Sequence, residues 1–123
     1  MPTLMQDSYA LMVETTGTFR LLGWGTDTCP QHALCADKVR SVDLTTRLIM
    51  WTDGLAVPLG LPANAPARHL LCTYQEAPSP VYGAAVFTGS TSDGELLGLT
   101  EDQALMLIDR YLNRHRSIPR PRR

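Results

Sequence analysis

The chain has 123 residues, 44% of them apolar, and a formal charge of −1, enough apolar material for one buried core that needs neither disulfides nor a structural metal. No apolar run approaches the ~18 to 20 residues of a bilayer span, and Met1-Pro-Thr-Leu-Met-Gln-Asp7 lacks the basic and apolar regions of a secretory leader, so a cytoplasmic location is expected. Three cysteines are too few and odd in number for a disulfide framework and predict free thiols in a reducing compartment.

Leu11-Met-Val-Glu-Thr15 and Thr18-Phe-Arg-Leu-Leu-Gly-Trp24 are short β-prone runs on either side of Gly17, which predicts a hairpin. Gly23, Gly25 and Asp27 end it. A helix is predicted from about Cys29 to Val39, with Pro30 in its first turn, where a missing N–H costs nothing, and with Ala33, Leu34 and Val39 toward the core. Asp53-Gly54 suits the positive φ of a tight turn. It separates residues 46–51 from 55–59 and predicts a second hairpin, whose returning strand Pro58 either holds to an edge or ends.

Asn64 is the predicted cap of a helix over residues 65–75, with Leu70, Leu71 and Tyr74 as its apolar stripe. Pro78 and Pro80 forbid its continuation. Val81 to Thr88 is an almost unbroken apolar run, which predicts a central strand buried on both faces, with Gly83 admitting a close neighbour. Thr100-Glu-Asp-Gln103 has the spacing of a capping box, and opens a helix over 100–115 with Ala104, Leu105, Ile108, Tyr111 and Leu112 facing inward. The sum is an α+β domain over residues 1–112, with about five strands in a mainly antiparallel or mixed sheet and about three helices. Residues 113–123 read as a basic, mobile tail, because two prolines and little apolar content leave nothing to bury.

Several segments share a pattern. Ser41-Val-Asp-Leu44, Leu48-Ile-Met-Trp51, Gly60-Leu-Pro-Ala-Asn64, Ala67-Arg68, Val81-Tyr-Gly-Ala-Ala-Val-Phe-Thr-Gly89, Asp93-Gly-Glu95 and Gly98-Leu-Thr-Glu-Asp-Gln103 together resemble the small bacterial, phage and plasmid family 3846 of domains of unknown function, over roughly residues 40–112. The resemblance implies a small α+β domain in a mobile-element setting and carries no assigned activity. The arginine-rich end departs from the family pattern, so a role vested there need not be general to it.

No catalytic constellation stands out. Cys29, His32 and Cys35 are spaced by three, as are His69 and Cys72, so two facing helices can in principle gather zinc ligands; packed thiols are the plainer account. The Cys35/His32 and Cys72/His69 spacings also permit a thiol nucleophile, without a visible oxyanion site. The loop Gly89-Ser-Thr-Ser-Asp-Gly94 lacks the Gly-Lys-Ser/Thr of a phosphate loop, and Asp93 and Glu95 repel anions. The pairs Asp93/Glu95 and Glu101/Asp102 fit a turn and a helix start better than acid–base chemistry. No cofactor and no metal are called for.

Charge is divided along the chain. Residues 1–109 hold all twelve carboxylates against five cations, whereas residues 110–123 hold Arg110, Arg114, Arg116, Arg120, Arg122 and Arg123 and no acid. Such a segment neutralises phosphates, folds on an acidic protein surface or another copy of the chain, or merely aids solubility. The functional expectation is a non-enzymatic accessory or protein-interaction module of a mobile element. Alternatives are nucleic-acid binding through those arginines and, further off, an unrecognised small hydrolase or a nucleic-acid mimic.

Overall fold

The computed structural model describes residues 8–25, 28–91, 93 and 96–113. Along the chain run β1 (Tyr9–Val13), β2 (Phe19–Gly23), α1 (Pro30–Leu34), β3 (Val39–Thr45), β4 (Leu48–Asp53), α2 (Ala65–Leu71), β5 (Ala85–Ser90), β6 (Leu96–Leu97) and α3 (Glu101–Leu112). The fold is a small α+β domain: among the described residues, six antiparallel strands form one open sheet with three helices. The strand order is β2-β1-β5-β4-β3, and β6 pairs with β5 where β1 has left it.

Period-two alternation sorts the side chains. Leu11, Phe87, Met50 and Val42 stand side by side across β1, β5, β4 and β3 on one face, while Met12, Val86, Trp51 and Ser41 stand on the other. The first face carries the larger core, closed by Ala67, Leu70 and Leu71 of α2 and Ala104, Leu107 and Tyr111 of α3. The second is smaller: Ala10, Met12, Val86 and Trp24 pack with Ala33 and Leu34 of α1 and with Trp51. Every residue of β5 is buried, as expected of the strand with a core on each face, although it begins at Ala85 rather than Val81. Its buried hydroxyl, Thr88 Oγ1, accepts a hydrogen bond from Trp51 Nε1 at 2.9 Å.

The first hairpin forms around Gly17, whose φ of +96° suits the turn. The expected helix over 29–39 stops at Leu34, because Cys35 adopts a left-handed conformation (φ 52°, ψ 44°) and Ala36 N–H reaches back to Gln31 O at 3.0 Å. Val39 therefore starts a strand instead of facing the core from a helix. The second hairpin is also displaced, since β3 and β4 turn at Thr46 and Arg47 rather than at Asp53-Gly54. Asp53 Oδ1 accepts from Leu55 N–H at 2.8 Å, which caps a run of turns through Gly60 in place of a returning strand.

Asn64 caps α2 as its position predicts: Oδ1 accepts from Ala67 N–H at 3.0 Å. It is also buried, and Nδ2 donates to Val13 O at 3.0 Å and Gly83 O at 2.8 Å, tying the helix start to β1 and to the lead-in of β5. Helix α2 ends at Leu71 and passes into turns, four residues short of the expected end. Gly83 has a φ of +76°, and a Cβ there would lie 2.8 Å from Leu61 Cδ1, so backbone conformation and space both call for glycine.

Thr100 and Gln103 form the capping box in full, with Gln103 N–H donating to Thr100 Oγ1 at 3.1 Å and Thr100 N–H to Gln103 Oε1 at 2.9 Å. The inward stripe of α3 is Ala104, Leu107 and Tyr111, with Ile108 half-buried, whereas Leu105 and Leu112, expected inside, are exposed. Among the described residues no helix is long and apolar enough to cross a membrane.

Candidate functional site

The outer face of α3 is the least ordinary surface of the domain. A twelve-residue helix that packs through Ala104, Leu107 and Tyr111 should turn polar groups to water. Here Leu105, Met106 and Leu112 are 55%, 72% and 59% exposed. Asp102 and Asp109 share that face, each three and four residues from neighbouring apolar positions, so carboxylates and apolar groups alternate along one side. Grooves flank the ridge. One of about 640 Å³ runs past Cys72, Thr73 and Asn113; the other, of about 220 Å³, runs between Met106 and Leu107 on the helix and Arg47, Leu48 and Tyr74.

Arg110 closes the second groove. Its guanidinium lies 4.2 Å above the Tyr74 ring, and Nη1 donates to Thr73 O at 2.8 Å and to Thr73 Oγ1 at 3.2 Å. The turn after α2 and the end of α3 are thereby fastened together. Burial pushes the Tyr74 phenol above its ordinary value of 10.0, against the opposing pull of the Arg110 charge. Because the folded-state value is raised, this group's contribution to stability is complete below about pH 10 and is lost as pH rises through the folded-state pKa. Chemical denaturation of wild type and Tyr74→Phe across pH 9 to 12 checks this, with a smaller alkaline loss expected in the variant.

Of the six arginines singled out in the sequence, Arg110 is thus held against the domain, and Arg114, Arg116, Arg120, Arg122 and Arg123 lie outside the described residues. The five Cys and His residues are not brought together. Cys29 precedes α1, Cys35 is its exposed end, and His69 and Cys72 sit on α2 and just after it; among the described residues no three His, Cys, Asp or Glu form a metal-holding group. All three cysteines are free thiols. Gly89 and Ser90 belong to no loop but close β5: Ser90 N–H donates to Arg47 O at 3.1 Å and is not open to a phosphate. Glu101 and Asp102 occupy the first turn of α3, where the helix dipole favours them. Asp93 is exposed, and Glu95 lies outside the described residues.

Another concavity, away from α3, has no motif to mark it in the sequence. Between the ends of β3 and β4, the turns after Asp53, the end of α2 and the segment before β5 lies a cleft of about 220 Å³. Its lining is drawn from four separate stretches of chain, so no local motif announces it. The one available signal was alternation: Arg40 and Thr52 oppose each other on the helix-side face, where the pattern of Val42 and Met50 would continue with apolar residues.

Comparison of the chain with models of known protein families, with curated proteins and with solved structures found no match.

Proposed function

We propose that this protein is a non-enzymatic interaction module whose α3 outer face receives a cationic, amphipathic segment of a partner protein. The observation that carries this reading is the alternation of exposed Leu105, Met106 and Leu112 with the carboxylates of Asp102 and Asp109. Apolar side chains left in water gain by being covered, and carboxylates beside them select lysine or arginine on the covering surface. A second copy is the poorer occupant, since antiparallel pairing about Leu105 and Met106 sets each Asp102 against the other's Asp109. The resemblance over residues 40–112 supports a phage or plasmid setting for the module.

Fluorescence anisotropy with two labelled peptides tests the reading: an amphipathic helix of about 18 residues built from Lys and Leu, and its Glu and Leu counterpart. The basic peptide is expected to bind and the acidic one to fail. Replacing both Asp102 and Asp109 by lysine should weaken binding about tenfold or more, at least ~1.4 kcal/mol. Equal binding of the two peptides, or indifference to the double substitution, would sink the idea.

Nucleic-acid binding is the second reading, favoured by six arginines among the last fourteen residues of the sequence. If five of them meet phosphates, the logarithm of affinity falls with the logarithm of salt at a slope of about −4 to −5 on duplex DNA, and deletion of residues 114–123 removes that dependence. A salt-independent affinity, or one untouched by the deletion, excludes it. The exposed carboxylates of Glu101, Asp102 and Asp109 repel a polyanion, which is why the protein partner is preferred.

A further inference from the structure

We propose that the cleft beside β3 binds a small anion with an apolar body, a carboxylate or phosphate ester of about the size of benzoate or phenyl phosphate. The floor is apolar and belongs to the main core: Met50, Leu71 and Val81 are 2%, 2% and 5% exposed and all line it. Arg40 stands at the rim, opposite Thr52 on the helix-side face of the sheet. Its guanidinium has no carboxylate or carbonyl partner among the described residues, although a rigid fork of donors is the side chain best suited to hold an anion. Asp53 also lines the cleft; its Oδ1 accepts from Leu55 N–H at 2.8 Å and it forms no ion pair with Arg40.

Hydroxyl groups complete the set. Thr52, Ser79 and Tyr82 line the same cleft, and none of their hydroxyls has a hydrogen-bond partner among the described residues. One unopposed cation, several uncommitted hydroxyls and an apolar floor make a pocket in which an anion is recognised by charge and its body by burial. At about 220 Å³ the cleft suits a ligand of roughly ten heavy atoms and not a nucleotide cofactor. The lining residues are distinct from those of the α3 face, so this inference stands apart from the interaction reading.

Titration of the ¹⁵N-labelled full chain with benzoate, phenyl phosphate and neutral benzyl alcohol tests it. Saturable shifts are expected at amides of residues 40–42, 50–54, 79, 81 and 82 with at least one anion, and benzyl alcohol should bind about tenfold more weakly. Arg40→Gln, a change of an exposed side chain, should keep the fold and lower anion affinity about tenfold. A response to benzoate alone assigns the site to carboxylates, and one to phenyl phosphate alone assigns it to phosphates. Equal binding of benzyl alcohol, undiminished anion affinity in Arg40→Gln, or no saturable shift in those segments overturns the proposal.

Discussion

Replacing Asn64 by aspartate is expected to lower folding stability by about 3 to 5 kcal/mol, a large part of the ~5 to 15 kcal/mol typical of a domain. The substitution keeps size and shape and keeps an acceptor for Ala67 N–H. What it removes is the amide that donates to Val13 O and Gly83 O in a site that is 1% exposed. An ionised carboxylate would face two carbonyl oxygens there, away from water, which is the costliest form of a broken buried contact. The group escapes only by taking up a proton, so its folded-state pKa rises above the ~3.9 of an exposed aspartate. Its deficit relative to wild type is therefore smallest near pH 3 and grows as pH rises through the folded-state pKa. Asn64→Ala, which loses the cap and both amide donations without introducing charge, should cost about 2 to 4 kcal/mol with little such dependence. Denaturant titrations of the three proteins at pH 3.5 and pH 7 separate the two behaviours. A uniform loss in Asn64→Asp would show that its carboxylate finds water.

Phe87→Ala should cost a comparable amount, about 3 to 5 kcal/mol. Phe87 is fully buried on the helix-side face of β5, between Leu11 on one neighbouring strand and Met50 on the other, in the cluster completed by α2 and α3. Close packing from both sides gives the walls little freedom to collapse into the space left, so the cavity term adds to the lost transfer energy. Met106→Ala is the matching control. At 72% exposed it should change stability by no more than about 0.5 kcal/mol, so any larger effect on peptide binding reflects contact rather than folding. Thermal and urea unfolding of the two variants side by side measure the contrast.

The parts of this fold legible in the sequence are those governed by short-range chemistry. Asn64 before Ala65-Pro66 and Thr100 three residues before Gln103 marked two helix starts, because a cap needs only its own next turn. The apolar run before Gly89 marked the central strand, because burial on two faces leaves no room for polar residues. The errors came where distant contacts decide. Cys35 takes a left-handed conformation without the glycine that would advertise it. Asp53-Gly54 looked like a hairpin turn, but Asp53 caps a turn and Gly54 N–H bonds to Lys38 O at 2.8 Å. Edge strand β3 has only Val42 and Leu44 half-buried on its core side, too faint an alternation to announce a strand. The two-residue β6 has no periodicity at all. On α3, Leu105 and Leu107 are equally apolar, and only the sheet beneath distinguishes the one that is buried.

Strand β5 also orders the assembly of the domain in time. The pairs β1 with β2 and β3 with β4 are local hairpins, and among the described residues β5 is the strand that joins both into one sheet. Leu11 meets Phe87 across more than seventy residues of intervening chain. A ribosome making this protein thus releases two separate ribbons with unsatisfied edges before it makes the strand that sews them together. Fast local turns followed by one slow, long-range closure are the kinetics such a seam imposes. Until that closure the exposed edges of β1 and β4 are the places where chains can pair wrongly with one another.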